Sequence, residues 1–196
     1  MNRSSVLIWL AALPVLATAP SSSAMEVQQL QVQFHGGEYQ LSMTATLSAP
    51  MGRVAAVLRD YASYPQLDSR IVTSQVVSRP APNRVELMTR INVCFAFFCR
   101  KVDRVEQVEE RPDGLLATVI PDRSDAKSGR TQTQLSASAD GSHTTLVYST
   151  QIVPKFWVPA LLGRSLMLHS LRDATISLFE HIEQRAAVPS SVAGAT

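Results

Sequence analysis

The chain has few cysteines and almost no excess of either charge. Its 196 residues include 2 cysteines, 18 lysines and arginines and 16 aspartates and glutamates, for a formal net charge of +2. Two cysteines are too few for a zinc site or an iron–sulfur cluster held by cysteines alone. A near-neutral chain with scattered charges also lacks the basic surface with which proteins bind nucleic acid. The composition therefore argues against a metal site held by cysteines and against nucleic acid as a partner.

The sequence also lacks the short motifs that mark common catalytic sites. It contains no His-Glu-x-x-His pair, no Gly-x-Ser-x-Gly elbow and no phosphate-binding glycine loop. The loop around Asp122 and Asp125 lacks the spacing and the central glycine of a calcium-binding EF-hand. We therefore expect no metal site, no cofactor and no catalytic residue set.

The N-terminal apolar run is too short to span a membrane as a helix. It covers residues 6–19, whereas a spanning helix needs about 20 apolar residues. Arg3 precedes the run, and the small residues Ser22, Ser23 and Ala24 follow it, which is the pattern of a secretory signal peptide. We expect cleavage after Ala24, so that the exported chain begins at Met25 and resides in the periplasm. A retained membrane anchor is the alternative.

Alternation of apolar and polar residues predicts strands over most of residues 27–153. The first two strands, 27–34 and 39–47, flank a Gly36-Gly37 turn. Pro50 then marks the start of a short helical region that we expect to stop at Tyr64-Pro65. The remaining strands follow with turns between them, for a total of about seven to eight.

A long amphipathic helix is predicted to close the chain. It should begin near Val158 or Pro159 and end near Arg185, with Leu161, Leu168, Leu171, Thr175, Leu178 and Ile182 on one stripe. A strand-rich chain closed by one long helix predicts an α+β fold in which a curved sheet wraps around that helix. We expect one domain over residues 25–186 and a disordered tail over 187–196.

The two cysteines lie five residues apart in a region of strands. On a straight strand Cys94 and Cys99 would be roughly 16 Å apart, too far for a disulfide, so a bond requires the chain to reverse between them. A hairpin tip at residues 95–98 would bring them together. Just beyond, the spacing of valines predicts a β-bulge near Asp103 and Arg104, which would place one charge in the interior or leave both in a surface ion pair.

The order of elements, with the segment Leu-Arg-Asp-Tyr-Ala-Ser-Tyr-Pro at 58–65 and Phe-Trp-Val-Pro at 156–159, resembles the START/Bet v 1-like (SRPBCC) superfamily. Within it the chain looks like secreted bacterial polyketide cyclases, coenzyme-Q-binding START proteins and lipid transporters. The resemblance implies a helix-grip fold with an apolar cavity that holds sterols, phospholipids, quinones or polyketides. It also implies that loops 95–98, 121–129 and 153–159 surround the cavity mouth.

On this basis we predict a set of ligand-contacting residues at the mouth and along the long helix. The set consists of Phe95, Phe97, Phe98, Phe156, Trp157, Leu161, Gly163, Leu168, His169 and Tyr148. The aromatic members could form a rim that touches a membrane transiently, or they could fold inward and cap the core. His169 could face the cavity, although an ordinary surface or core histidine is the simpler interpretation.

Three functions agree with these observations. The first is a periplasmic monomer that binds an apolar small molecule or lipid, with transfer of that ligand left open. The second is a polyketide cyclase or dehydratase that uses Tyr148 or His169 as a general acid. The third is an envelope interaction module whose cavity is filled by its own side chains.

Overall fold

A computed structural model describes residues 25–95, 98–156 and 163–188. At residues 95, 98 and 164 only the backbone is described. The described chain contains eight strands: β1 (Glu26–His35), β2 (Glu38–Leu47), β3 (Ile71–Ala81), β4 (Arg84–Phe95), β5 (Phe98–Arg111), β6 (Gly114–Val119), β7 (Ala126–Ala137) and β8 (Thr144–Pro154). The helices are α1 (Met51–Arg59), α2 (Tyr64–Leu67) and α3 (Gly163–Ala187), and short 3₁₀ turns occur at Tyr61–Ser63 and Pro121–Arg123.

All eight strands form one antiparallel sheet in the order β1-β2-β8-β7-β6-β5-β4-β3. The strands from β3 to β8 are joined in sequence as a meander, whereas β2 pairs with β8. The segment with α1 and α2 therefore carries the chain from β2 to the opposite edge of the sheet. The long helix α3 packs against the sheet and against α1. The predicted helix-grip α+β fold is confirmed.

The hairpin of β1 and β2 follows the prediction closely. His35 pairs with Glu38, and the two residues between them, Gly36 and Gly37, have φ values of 57° and 90°. A two-residue turn with positive φ at both positions matches the twist of the flanking strands, and glycine adopts it without steric cost.

The helical region after β2 extends further than predicted. Tyr64 and Pro65 do not end it, because they form the first turn of α2, which continues to Leu67. A proline in the first turn of a helix loses no hydrogen bond that the helix needs, so it can start a helix as readily as stop one.

The predicted β-bulge near Asp103 and Arg104 is wrong. β4 and β5 pair in unbroken register from Arg84 with Glu109 to Phe95 with Phe98. The misleading residue is Val105, which is buried although it points to the opposite face from Arg104. The turn after β6 covers it there, and the Ser124 hydroxyl bonds both the amide and the carbonyl of Val105.

The core lies between α3 and the concave face of the sheet. The most completely buried side chains include Phe179 and Ile182 of α3, Met43 of β2 and Leu146 of β8. Among the described residues, no helix is both long enough and apolar enough to cross a membrane.

Candidate ligand-binding cavity

A cavity of about 250 Å³ lies between the sheet and the first half of α3. The strands contribute an apolar part of its lining, which consists of Ile71, Ile91, Val93, Val102, Ala126, Ile152 and Pro154. Alternation along each strand produces this lining, because every second side chain faces the concave side of the sheet. The cavity is thus a direct product of the curved antiparallel sheet.

One stripe of α3 forms the opposite wall. It consists of Met167, Ser170, Leu171, Ala174, Thr175 and Leu178. These positions recur at helical spacing, and the small residues among them leave the space that larger side chains would fill. The Thr175 hydroxyl donates to the Leu171 carbonyl at 2.8 Å, so this polar group is satisfied within its own helix.

The outer end of the cavity is framed by the tip of the β4–β5 hairpin and the end of β8. Cys94 and Cys99 are joined by a disulfide and pair across the two strands, which confirms the predicted chain reversal. The strands continue to Phe95 and Phe98, so the tip is shorter than the predicted four residues. Phe156 lines the cavity at this end, and the guanidinium of Arg100 lies 5.3 Å from its ring centroid.

Two oppositely charged side chains lie on the inner face of β5. Arg104 Nε is 2.9 Å from Glu106 Oε2, and the Glu106 side chain is only 3% exposed. The contact is an ion pair without hydrogen-bond alignment at Nε, since that buried nitrogen has no hydrogen-bond acceptor among the described atoms. A buried N–H without an acceptor is costly. The rest of the Arg104 side chain, which is 29% exposed, is the part that a ligand could contact.

Tyr148 on β8 projects into the same region. Its ring packs edge-on against Phe179 at a centroid distance of 5.1 Å. Burial raises the pKa of its phenol, while the charge of Arg104 and the hydroxyls of Thr150 and Thr131 act in the opposite direction. The phenol is therefore neutral and protonated at physiological pH.

A second, smaller cavity of about 110 Å³ lies deeper along α3. It shares Ile71, Arg104, Tyr148 and Leu178 with the first cavity, so these four residues lie between the two spaces. Its other lining residues come from the strands, from the α1–α2 region and from the second half of α3, and they include Tyr64, Leu87, Glu106, Phe179 and Ile182. Arg104 and Tyr148 are thus the polar groups best placed to contact a ligand in either space.

The structure brings together only part of the predicted site. Tyr148 and Phe156 line the main cavity. Leu168 and His169 do not line it: the His169 side chain is 74% exposed, and its Nε2 lies 3.2 Å from Asp173. The cavity-facing position of that turn is Met167, which the predicted stripe missed by one residue.

The remaining predicted contacts lie at the start of α3, at the tip of the β4–β5 hairpin or outside the described residues. Gly163 is the first described residue of α3. Phe95 and Phe98 end their strands, but their side chains are not described. Phe97, Trp157 and Leu161 lie outside the described residues.

Glu106 is a site residue that the sequence interpretation missed, whereas Arg104 is expected from the sequence either as an interior charge or in a surface ion pair. A signal for them exists, because Val102, Arg104, Glu106 and Val108 alternate in step with the inward-facing residues of β4. The buried Val105 obscured this signal by suggesting a change of face.

Solved structures with the same fold include enzymes and lipid-transfer proteins. The Zhui aromatase/cyclase from Streptomyces sp. R1128 is 12% identical, with a TM-score of 0.60 over 76% of this chain and 93% of its own. A START superfamily protein from Mycobacterium smegmatis is 16% identical, with a TM-score of 0.57 over 74% of this chain and 97% of its own. A STAR-related lipid transfer protein from Xanthomonas axonopodis (fragment 25–204) is 14% identical, with a TM-score of 0.56 over 79% of this chain and 99% of that fragment.

The chain has the START/Bet v 1-like fold. No family model matches the sequence, and no curated protein matches it. At identities this low the START/Bet v 1-like neighbours establish the architecture, and the site must be argued from its own residues.

Proposed function

We propose that this START-like protein binds an apolar, lipid-like molecule in the cavity between its sheet and α3, in the cell envelope after export. The observation that carries the proposal is the main cavity itself, whose surface is mostly apolar and which carries polar groups such as Arg104 and Tyr148 at defined places. Ligand sites in proteins commonly combine an apolar lining with a small number of such groups.

The size of the cavity sets what can enter without rearrangement. Its volume of about 250 Å³ is just below the roughly 300 Å³ at which small-molecule sites usually begin. The deeper cavity adjoins it across Arg104 and Tyr148. A ligand that displaced the long Arg104 side chain would join the two spaces and lie along α3.

The polar groups suggest how such a ligand is oriented. Burial of a hydrocarbon portion against Leu171, Ala174 and Leu178 would supply affinity at about 25 cal/mol per Å² of apolar surface. An oxygen in the ligand would accept an N–H from the exposed part of the Arg104 guanidinium, and would thus fix which end lies deepest.

The envelope location rests on the N-terminal signal pattern and is supported by the disulfide between Cys94 and Cys99. We further propose that the hairpin tip and Phe156 form the entrance, where an aromatic side chain suits a membrane interface. Transfer between membranes would require this entrance to face a bilayer.

The test is lipid extraction from the exported protein, purified from its native host and analysed by mass spectrometry. Binding of the fluorescent fatty acid cis-parinaric acid gives an independent readout. We expect co-purified lipid, and a Kd for the probe that rises at least tenfold in Ala174→Phe, whose ring would occupy the cavity. Arg172→Phe is the matched control, because Arg172 is exposed on the same helix and should leave the Kd unchanged.

Two results would contradict the proposal. One is the absence of sterol, phospholipid and quinone in the extract together with no probe binding. The other is equal probe affinity in Ala174→Phe and the wild type. The first result would favour an interaction module that holds no ligand, and the second would place the probe outside this cavity.

A cyclase-type enzyme is the second candidate, because the ionisable side chains of Tyr148 and Arg104 lie between the two cavities and Glu106 lines the deeper one. A protonated phenol beside an ion pair could donate a proton to a polyketide carbonyl, although its raised pKa makes it a weak acid. Tyr148→Phe separates the candidates: a binding protein keeps its lipid affinity within a few-fold, whereas an enzyme loses turnover of a linear polyketide thioester.

A further inference from the structure

Glu183 is a buried carboxylate on α3 without a cationic partner. The residue is 6% exposed. Its Oε1 accepts from the Ser48 backbone N–H at 2.6 Å, and its Oε2 accepts from the Met25 backbone N–H at 2.8 Å. Among the described residues, no lysine, arginine or histidine nitrogen lies within 4.0 Å of it.

An unpaired buried charge is expensive. Moving an ionised carboxylate into the interior costs several kcal/mol after relaxation, and two neutral amide donors recover only part of that. The position adds to the cost, because Glu183 lies near the C-terminal end of α3, where the backbone carbonyls carry partial negative charge. A positive charge is therefore the missing component of this site.

We propose that the missing charge is the α-ammonium group created when the exported chain is cleaved between Ala24 and Met25. Cleavage adds water across this peptide bond and leaves a carboxylate on Ala24 and an ammonium on Met25. A signal peptidase of the export machinery would be the catalyst. The new ammonium is the same nitrogen atom that already lies 2.8 Å from Glu183.

Two independent observations indicate the peptide bond between Ala24 and Met25. The small residues Ser22, Ser23 and Ala24 after the apolar run mark the cleavage position from sequence alone. The structure indicates the same bond independently, because the backbone nitrogen of Met25 is the one that contacts the buried Glu183 carboxylate. An α-amino group has an ordinary pKa of about 7.7–8.0, so near pH 7 it would be charged and able to pair.

Processing would then change the stability of the fold as well as the length of the chain. Before cleavage the Met25 nitrogen is a neutral amide, and Glu183 has hydrogen bonds but no counter-charge. After cleavage the same contact is an ion pair that ties the start of β1 to the end of α3. The precursor would be less stable than the processed protein. This inference rests on the proposed export of the chain and does not depend on what the cavity binds.

The first test expresses the full chain in a secreting host and measures the N-terminus by intact mass and N-terminal sequencing. The expected product begins at Met25. A second precursor carries Ser-Gly inserted between Ala24 and Met25, so that cleavage after Ala24 leaves the ammonium two residues upstream of the Met25 nitrogen that contacts Glu183. Its melting midpoint should be lower by about 5 °C or more, and a shift of 5 °C corresponds to about 1–2.5 kcal/mol for a domain of this size.

A coupling test isolates Glu183. In the Glu183→Gln background, which keeps the shape of the side chain and removes its charge, the same Ser-Gly insertion should no longer lower the midpoint. If Glu183→Gln fails to fold, acylation by an N-hydroxysuccinimide ester serves instead. The α-amine of the wild type should react at least tenfold more slowly than that of the insertion variant, with Lys127 and Lys155 as internal references.

The inference is overturned if the exported chain begins at any residue other than Met25. It is also overturned if the insertion leaves the midpoint unchanged, or lowers it equally in the wild-type and Glu183→Gln backgrounds. Equal acylation rates in the two N-terminal forms would overturn it as well.

Discussion

Arg104 and Glu106 form an ion pair on the inner face of β5, with 2.9 Å between Nε and Oε2. Arg104 lines both cavities, whereas Glu106 lines only the deeper one. The two side chains also differ in exposure, at 29% for Arg104 and 3% for Glu106. The buried carboxylate of Glu106 is thus paired with an arginine whose side chain is still partly exposed. This arrangement makes the pair sensitive to the loss of either member and to any ligand that moves Arg104.

We expect Arg104→Met to destabilise the protein by about 3 kcal/mol, because it leaves the Glu106 carboxylate buried and unpaired. Replacing both members, as in Arg104→Met with Glu106→Leu, should recover most of this loss, since no buried charge remains. Urea unfolding monitored by circular dichroism measures both effects.

The outer face of the sheet provides a control for this prediction. Arg90 and Asp103 also form a short ion pair, at 2.6 Å, but both side chains are more than 40% exposed. Solvent screens such a pair, so Arg90→Met should cost less than about 1 kcal/mol. Equal losses in Arg90→Met and Arg104→Met would show that burial of Glu106 does not decide the cost.

The disulfide between Cys94 and Cys99 closes a short loop at the cavity mouth. Because the loop is short, Cys94→Ser with Cys99→Ser should cost only about 2 kcal/mol on the loop-entropy model. We expect a larger effect on ligand binding than on stability, since Cys94 lines the cavity. The measurements are urea unfolding and cis-parinaric acid binding. Dithiothreitol should lower the free energy of unfolding of the wild type by the same amount and leave that of the double variant unchanged. If the double variant does not fold, the disulfide does more than order the hairpin tip.

Periodicity was sufficient to predict the sheet and the helix, but not the orientation of every side chain. The β1–β2 hairpin followed from alternation and from Gly36-Gly37, because a two-residue glycine turn leaves little choice of register. The inner face of β5 was misjudged because Val105 is buried on the outer face by a turn distant in sequence. Burial that depends on such a long-range contact leaves no periodic signal.

The cavity wall on α3 shows the same limit. The predicted stripe correctly included Leu171, Thr175 and Leu178, which line the cavity. It placed Leu168 where Met167 lies, because leucine and methionine are similarly apolar and one residue is a rotation of only about 100° on a helix. Glu183 could not be predicted as buried, since its partners Met25 and Ser48 come from the other end of the chain.

Gly114 at the start of β6 should tolerate no side chain. Its φ is +154°, and a Cβ at this position would lie 1.9 Å from the backbone carbonyl oxygen of Thr133 on β7. Because a backbone atom cannot move aside without breaking the β6–β7 ladder, Gly114→Ala should cost well over about 3 kcal/mol. Thermal unfolding and soluble yield measure the loss.

Gly141 provides the matched control for Gly114. Its φ is also positive, at +70°, but a Cβ there would have no atom within 4 Å. Gly141→Ala should therefore cost only the backbone strain, about 1 kcal/mol. If both variants lose the same stability, the contact with Thr133 is not the cause.

The tyrosines around the deeper cavity predict a loss of stability at alkaline pH. The pKa values of Tyr61, Tyr64 and Tyr148 are all raised, in each case mainly by burial. In the unfolded chain these phenols ionise near pH 10, so above that pH the unfolded state has released protons that the folded state retains. The stabilising contribution is fully present below about pH 10 and is lost as the pH rises toward the higher folded-state pKa values.

Tyr64→Phe tests this linkage at one residue. Near neutral pH the variant should lose about 1 kcal/mol, because the Tyr64 hydroxyl donates to the Leu58 carbonyl at 2.7 Å. Above pH 10 its free energy of unfolding should fall less steeply with pH than that of the wild type, since one fewer buried phenol is linked to unfolding. Urea unfolding across this pH range measures the slope, and ultraviolet absorbance of tyrosinate follows ionisation directly. Parallel slopes for the two proteins would mean that Tyr64 ionises equally readily in the folded and unfolded chains, and the burial of its phenol would then have no energetic consequence at alkaline pH.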